Sequence, residues 1–227
     1  MTPEKVFIII PSFNEEKVIR TTVSPLIEKG YTVVVIDDCS SDNTRNALKD
    51  LPVHYLRHEI NLGQGAALQT GIEYALELNA EYIVTFDADG QHDSKEIPDL
   101  LEPILSGRAD ITMGTRFKRK KDAEQIPPSR KLIIKGAIIV DRLFTGMRLT
   151  DSHNGFRAMN REAFSRIKLR ENRMAHASEI LSLIKQNKLR YEEVPVQVTY
   201  TKYSKMKGQS SMNSINILID LLLKKIF

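Results

Sequence analysis

Cysteine is nearly missing from this chain: Cys39 is the only one among 227 residues. A single thiol excludes an internal disulfide framework and suits a reducing compartment. There is no run of the roughly 20 apolar residues that a membrane-spanning helix needs. The first apolar run, residues 6–10, is too short for a secretory leader and lacks a cleavage site. These absences predict a cytoplasmic protein that would meet a membrane only from its cytoplasmic face. Internal repeats and low-complexity stretches are also absent. Zinc-ligand spacing, an arginine-rich tract and basic segments interleaved with aromatics are lacking too, so nucleic acid is not the expected partner.

What the chain does contain is an ordinary balance for a globular enzyme, 41% apolar and 27% charged residues. Its length fits one compact domain. Charge is unevenly spread beneath a net +4. Residues 1–110 hold 9 Lys and Arg against 19 Asp and Glu, a balance of −10, whereas residues 111–227 carry +14. An acidic first half suits a metal ion. A basic second half suits an anionic partner, such as a phosphate-bearing lipid or a substrate's own diphosphate.

Apolar runs alternate with amphipathic segments through residue 113. Residues 6–10, 32–36, 53–57, 82–86 and 111–113 read as strands, the first buried on both faces. Residues 15–29, 63–78 and 94–105 read as helices, with a short one after Asp42-Asn43-Thr44. Gly30 stops the first, and Ser94 is the expected N-cap of the last. The alternation predicts an α/β fold, a mostly parallel sheet with helices on both faces. In such sheets ligands bind beyond the carboxyl ends of the strands. After residue 114 the rhythm changes. Residues 118–128, with four consecutive basic residues and two prolines, read as a mobile flap. Helices are expected at 130–144, at 175–186 and from 212 to the end, with a pair of strands within 190–200.

Three strand ends carry polar clusters: Pro11-Ser12-Phe13-Asn14-Glu15, Asp37-Asp38 and Asp87-Ala88-Asp89-Gly90-Gln91. In a parallel sheet these lie on one edge, so Glu15, Asp37, Asp38, Asp87 and Asp89 would converge on one crevice. Clustered carboxylates repel unless a cation or hydrogen-bond donors offset them. A hard divalent ion with oxygen ligands, itself bound to phosphate, is the usual solution. A lone Asp-x-Asp is ordinarily a capped turn. This one directly follows a buried-strand pattern and shares its edge with two other acidic ends, which favours the metal.

Ile10-Pro11-Ser12-Phe13-Asn14-Glu15, Val35-Ile36-Asp37-Asp38-Cys39-Ser40-Ser41-Asp42 and Phe86-Asp87-Ala88-Asp89-Gly90-Gln91-His92 resemble family 2 inverting glycosyltransferases of the GT-A fold. Asn61-Leu62-Gly63-Gln64-Gly65-Ala66-Ala67, Gly114-Thr115-Arg116-Phe117 and the stretch from Asp151 to Arg157 extend the likeness to the dolichyl- and polyprenyl-phosphate hexose synthases. The resemblance implies one domain over 1–227, with a half that binds a nucleotide sugar (1–114) and an acceptor-side half (115–227). It implies that Pro11, Phe13, Glu15, Ile36 and Asp38 line the nucleotide pocket, with Gly63, Asp87 and Ala88 beside the donor. Phe13 stands where many relatives have tyrosine. Asp87, Asp89 and Gln91 would hold Mg2+ or Mn2+. Arg116 would face the donor phosphates and Arg130 the phosphate of a lipid acceptor. Lys205, Lys207 and Ser210 would close over the diphosphate. The implied reaction moves a hexose from a UDP- or GDP-sugar to a polyprenyl or dolichyl phosphate.

Other readings stay open at this level. The acceptor could be a saccharide hydroxyl, with Asp151 as the required general base. The Asp87 turn is also similar to the nucleophile turn of haloacid-dehalogenase-like phosphatases, although that turn normally follows the first strand. A catalytically silent binding subunit for a membrane-embedded partner is a third class. His54, His58 and His176 read as structural, whereas His92 and His153 lie beside the expected site. The apolar face of helix 130–144, flanked by Lys131, Lys135 and Arg142, suits either core packing or peripheral contact with a bilayer. The last helix invites the same two readings.

Overall fold

The computed structural model describes residues 2–124, 126, 128–152, 154–200 and 203. The first half alternates as its apolar runs predict: β1 (Val6–Ser12), α1 (Ile19–Glu28), β2 (Thr32–Asp37), α2 (Thr44–Leu48), β3 (His54–Arg57), α3 (Gln64–Glu77) and β4 (Tyr82–Thr85). There follow α4 (Ile97–Leu105), β5 (Ile111–Thr115), α5 (Lys120–Glu124), α6 (Pro128–Thr145), β6 (Arg157–Asn160), α7 (Arg161–Arg166), α8 (His176–Gln186) and β7 (Tyr191–Pro195). The strands form one sheet in the order β3-β2-β1-β4-β6-β5-β7, and only β6 runs against the others.

Burial on both faces explains the continuous apolar strands. Phe7 and Ile9 of β1 join a core with Val34, Ile36 and the inner faces of α3 and α8. Val6, Ile8 and Ile10 point the other way, into a core with Val33, Val35, α1 and α4. This is the two-residue period of a strand sandwiched between helices. Helix α3 lies tight against the sheet at Gly71, where a Cβ would come within 2.3 Å of Ile9 Cγ2.

Sheet order decides where a ligand can enter. The chain builds outward from β1 to β2 and β3, then returns to place β4 on the other side of β1. Connections therefore diverge at the carboxyl ends of β1 and β4 and leave a crevice there. Antiparallel β6 starts at that same edge, which brings the loop before it, residues 151–156, into the crevice.

Several sequence expectations shift. Helix α1 begins at Ile19 rather than at 15, because Glu15 is drawn into the crevice and its carbonyl caps a turn to Val18 and Ile19. The cap before α4 is Asp93, whose side chain accepts from Lys95 N, while Ser94 is buried in a single 3-10 turn. The expected flap contains α5 and is anchored at its start: Lys118 Nζ donates to Glu193 O (2.7 Å) and Arg119 Nη2 to Glu96 Oε1 (3.0 Å). Residues 190–200 hold one strand, β7, and an isolated bridge between His92 and Val198, not a pair. The helix expected from 212 lies outside the described residues. Among the described residues no helix is long and apolar enough to cross a membrane.

Candidate active site

The end of β2 separates two adjacent aspartates into different tasks. Asp37 is fully buried and meets Arg57 Nη1 at 2.6 Å, Ser40 N at 2.9 Å and the Tyr55 hydroxyl. It holds β3 to β2 and does not join the expected carboxylate cluster, because its charge is already neutralised by Arg57. Asp38 turns to the next loop. Its Oδ1 accepts from His58 Nδ1 (2.8 Å) and Leu62 N (2.9 Å), and its Oδ2 from Gly63 N (2.7 Å). Three of its roughly four acceptor sites are thus filled by the chain, leaving one for a ligand. Gly63 adopts φ +105 to turn into α3, and a Cβ there would meet Asn172 O at 2.5 Å.

Beside it, Pro11 pairs in register with Ile36, and Asp38 N donates to Ser12 O at 2.8 Å. Phe13 is 43% exposed at the mouth. Asn14 has φ 55, and the chain there swings Glu15 inward, buried, with Glu15 Oε2 accepting from the Tyr203 hydroxyl at 2.8 Å.

The β4 turn gathers the next group. Asp87 Oδ2 accepts from His92 Nε2 at 3.0 Å, and Gln64 Nε2 reaches Oδ1 at 3.3 Å. The His92 side chain is 2% exposed, stacked on Phe156 (centroids 4.8 Å) and edge-on to Phe86. Gly155 passes so close that a Cβ would lie 2.8 Å from both Asp87 oxygens. Burial would raise Asp87, yet the His92 hydrogen bond and the nearby cations hold it below the usual carboxylate range. At Asp89 the balance runs the other way, and His92 offsets it only in part. Burial first, then the charge of Asp87, push it up to about 6. Buried Ala88 and Gln91 complete the turn, Gln91 N donating to Asp89 Oδ1 (3.1 Å).

Across the crevice the arrangement is closed. Arg116 grips Asp151 through Nε (2.6 Å), Nη2 (2.7 Å) and its backbone N (3.1 Å), and both residues are buried. Burial opposes the Arg116 charge, but the Asp151 contacts outweigh it and raise the guanidinium above its ordinary range. Glu193 Oε1 accepts from the backbone N of Thr150 (2.7 Å) and Asp151 (3.1 Å) and fixes the loop. Arg130 lies in the first turn of α6, with its side chain outside the described part; Lys205, Lys207, Ser210 and His153 lie outside the described residues.

Sequence reasoning missed four participants. Arg157 is buried on β6 among the charges of Asp87, Asp151 and Asp141, and burial lowers its guanidinium to about 10. Among the described residues its Nε meets no hydrogen-bond partner, nor do Ser152 Oγ and Asn154 Nδ2 on the same loop. Gln64 reaches Asp87 from the first turn of α3. Tyr200 and Tyr203 both reach the crevice. Thr199 N binds Gln91 O (2.9 Å), the Tyr200 hydroxyl accepts from Arg116 Nη1 (3.3 Å), and Tyr203 reaches Glu15. Arg157 ends the motif that begins at Asp151, and Gln64 lies within the motif of residues 61–67, but neither is given a role there.

Among the described residues no three His, Cys, Asp or Glu side chains form a preformed metal cage. Two carboxylates forced together, one with its proton affinity raised by the other, are the donor set a divalent ion would stabilise.

Comparison with known proteins follows the same lines. The sequence profile of glycosyl transferase family 2 matches residues 7–168. A UDP-N-acetylglucosamine–dolichyl-phosphate N-acetylglucosaminyltransferase of Methanococcus voltae is 34% identical over 99% of this chain and 98% of its own. A dolichol-phosphate mannosyltransferase of Pyrococcus furiosus is 32% identical over 94% of this chain and 60% of its own. The fold is similar to glucosyl-3-phosphoglycerate synthase from Mycobacterium tuberculosis, solved with Mn2+, UDP-glucose and phosphoglyceric acid. That likeness has a TM-score of 0.63 at 18% identity and covers 95% of this chain and 79% of that one.

Proposed function

Because the chain belongs to glycosyl transferase family 2 and is a glycosyltransferase, we propose that it moves a hexose from a UDP-sugar to a polyprenyl or dolichyl phosphate, with a divalent ion held at Asp87 and Asp89. The observation that carries this reading is the turn at the end of β4. Two carboxylates share it, one kept ionised by His92 and the other pushed up to about 6 by burial and by its neighbour. Such a pair costs stability by itself and is offset by a cation. Mn2+ or Mg2+ bound there, with Gln91 as a neutral oxygen donor, would neutralise charge that develops on the leaving diphosphate.

The chain's own residues supply the rest. Phe13, Pro11 and Ile36 offer apolar surface to a nucleotide base, and Asp38 retains one acceptor position for a base N–H. Glu15, held by Tyr203, is placed to accept from ribose hydroxyls. The names of the relatives support a lipid phosphate as acceptor and, for the relative matched end to end, UDP rather than GDP. The Asp151 geometry agrees with such an acceptor. Inverting transfer is one in-line displacement, and a hydroxyl acceptor needs a carboxylate base with a free lone pair. Asp151 is buried and both its oxygens are held by the buried Arg116 guanidinium, so a proton taken up there would strand that charge. A phosphate acceptor is already ionised near neutral pH and needs no base. Arg130, following the basic segment, is the residue proposed to meet that phosphate.

The test is turnover against a panel of nucleotide sugars with isoprenyl phosphates and with free sugars as acceptors, with and without Mn2+ and Mg2+. Transfer to an isoprenyl phosphate that requires metal is expected. Transfer to sugar hydroxyls alone, or full activity in chelator, would sink the reading. Arg130→Ala should raise KM for the lipid phosphate while leaving nucleotide-sugar affinity unchanged.

A further inference from the structure

The Asp38 carboxylate has roughly four acceptor positions, and the chain itself fills three of them. Leu62 N and Gly63 N supply two, one on each oxygen, and both are backbone groups. The third comes from a side chain, His58 Nδ1, at 2.8 Å from Oδ1. A carboxylate only accepts, so Nδ1 carries the proton. The other ring nitrogen, Nε2, meets the Thr70 hydroxyl at 3.0 Å.

His58 is held from three directions. Its backbone N donates to Asp37 O at 2.9 Å, and its two ring nitrogens are tied to Asp38 and to Thr70 of α3. The side chain is only 11% exposed. The ring therefore cannot leave Oδ1 without breaking contacts to two elements. A histidine that its sequence position marks only as structural thus decides how many acceptor positions Asp38 presents to a ligand.

Base chemistry turns that number into a choice. With Leu62 N and His58 Nδ1 both on Oδ1, one position remains, on Oδ2. Uracil presents one N–H, at N3, between two carbonyls. Guanine presents two adjacent donors, N1–H and N2–H, and a carboxylate satisfies both only with an open position on each oxygen. At Asp38 one of the two would be buried without an acceptor, the kind of loss that separates substrates most sharply.

We propose that His58 is a positioning residue that sets the base selectivity of the donor site. By occupying Asp38 Oδ1 it admits a base with one N–H, uracil, and rejects guanine. The inference rests on the reading of Asp38 as the residue that meets the base, and deepens it by naming what makes the choice.

Calorimetry on the full chain with Mn2+ and free nucleoside diphosphates tests this without involving the sugar or the acceptor. UDP should bind at least about tenfold tighter than GDP. Inosine diphosphate has the size of GDP without its N2 amine, and should also bind about tenfold tighter than GDP. His58→Phe keeps a ring but removes the donor, which opens a position on Oδ1. The gap between inosine diphosphate and GDP should then shrink to about threefold or less. His58→Asn places an amide N–H where Nδ1 stood and should restore the gap. Thermal melts confirm that each variant is folded, and the comparison within the wild type stands whether or not a variant folds.

A histidine with a merely structural role would weaken every nucleotide by one factor, and an unchanged gap in folded His58→Phe would overturn the proposal. Equal affinity of the wild type for GDP and inosine diphosphate would overturn it as well. N3-methyl-UDP checks the underlying reading separately, because it lacks the one N–H, and it should bind at least about tenfold more weakly than UDP. If it binds as tightly as UDP, Asp38 does not meet the base and the reading itself fails. If it binds weakly while His58→Phe keeps the gap, only the assignment to His58 falls.

Discussion

Two acidic centres sit on the same sheet edge and are built in opposite ways. Asp151 is matched atom for atom by Arg116, with both partners buried and its loop fixed by Glu193. Asp89 has a neighbouring carboxylate in place of a guanidinium, and it is pushed up to about 6. The first centre is complete without a ligand. The second holds a repulsion that a proton or a cation would relieve. The difference separates a part of the crevice that holds shape from the part proposed to do chemistry, and substitutions on the two sides should therefore fail differently.

The largest effect is expected on the open side. Asp89→Ala removes a charge that the fold tolerates poorly, so its melting temperature should be no lower than that of the wild type. Turnover with Mn2+ or Mg2+ should fall by about a thousandfold or more, because stabilisation of the leaving diphosphate goes with the ion. Steady-state transfer beside a thermal melt checks both halves. Retained turnover in this variant would end the distinction between the two centres.

Asp151 should break the other way. Asp151→Ala strands the buried Arg116 charge, a loss of about 3–5 kcal/mol that lowers the melting temperature by roughly 10 °C in a chain of this size. Asp151→Asn, measured at a temperature where it stays folded, should keep turnover within about tenfold. A general base would cost about a hundred- to ten-thousandfold on the same change. Replacing both partners, Arg116→Met with Asp151→Leu, should recover much of the stability, since an apolar pair of similar volume is often neutral.

The same contrast explains what was legible in the sequence. The open centre lies within five consecutive residues after a strand whose burial on both faces leaves a continuous apolar run, so residues 82–91 announce both strand and turn. Strands β1 and β2 are legible for that reason, and Gly30 stops α1 as its positive φ requires. The closed centre joins residues 35 apart, a pairing that only the sheet brings about. Strand β6 is four residues long, is paired on both sides by distant strands and carries buried Arg157, so neither its length nor its polarity marks it. Asp37 and Asp38 are adjacent and chemically identical. Alternation along the strand sends one into Arg57 and the other toward Gly63, and their sequence neighbours do not distinguish these fates. Tyr200 and Tyr203 follow the last described strand, where no local pattern reveals that the chain crosses back over Gln91 and Glu15.

Proton linkage sharpens the comparison at smaller magnitude. Asp89 is raised from 3.8 to about 6 in the folded chain, so the fold favours its protonated form. Its stabilising contribution is full below 3.8 and is lost as pH rises through about 6. Without divalent metal, the wild type should therefore lose melting temperature relative to Asp89→Asn across that window. Metal competes with the proton, so affinity for Mn2+ should rise about tenfold per pH unit up to about 6 and then level off. Titration calorimetry across pH 5–8 reads this directly. A pH-independent affinity would mean that Asp89 is not a ligand.

The smallest effect concerns the segment that ties the two sides together. Tyr203 donates to Glu15 on the donor side, and Tyr200 accepts from Arg116 on the acceptor side. Burial and the Glu15 charge raise the Tyr203 hydroxyl above its ordinary range, so it stays protonated and donating at every working pH. Removing it takes one hydrogen bond from Glu15 but leaves the reacting centre intact. Tyr203→Phe should therefore raise donor KM by about three- to tenfold, equivalent to one hydrogen bond of roughly 0.5–1.5 kcal/mol, with kcat unchanged as expected for uniform binding. Tyr200→Phe should leave donor KM alone and move acceptor KM by a similar factor, because the Tyr200 hydroxyl accepts from Arg116 on the acceptor side. Initial-rate kinetics with each substrate varied in turn decides the matter. If both variants shift the same KM, the segment acts as one lid and the division into a donor side and an acceptor side is wrong.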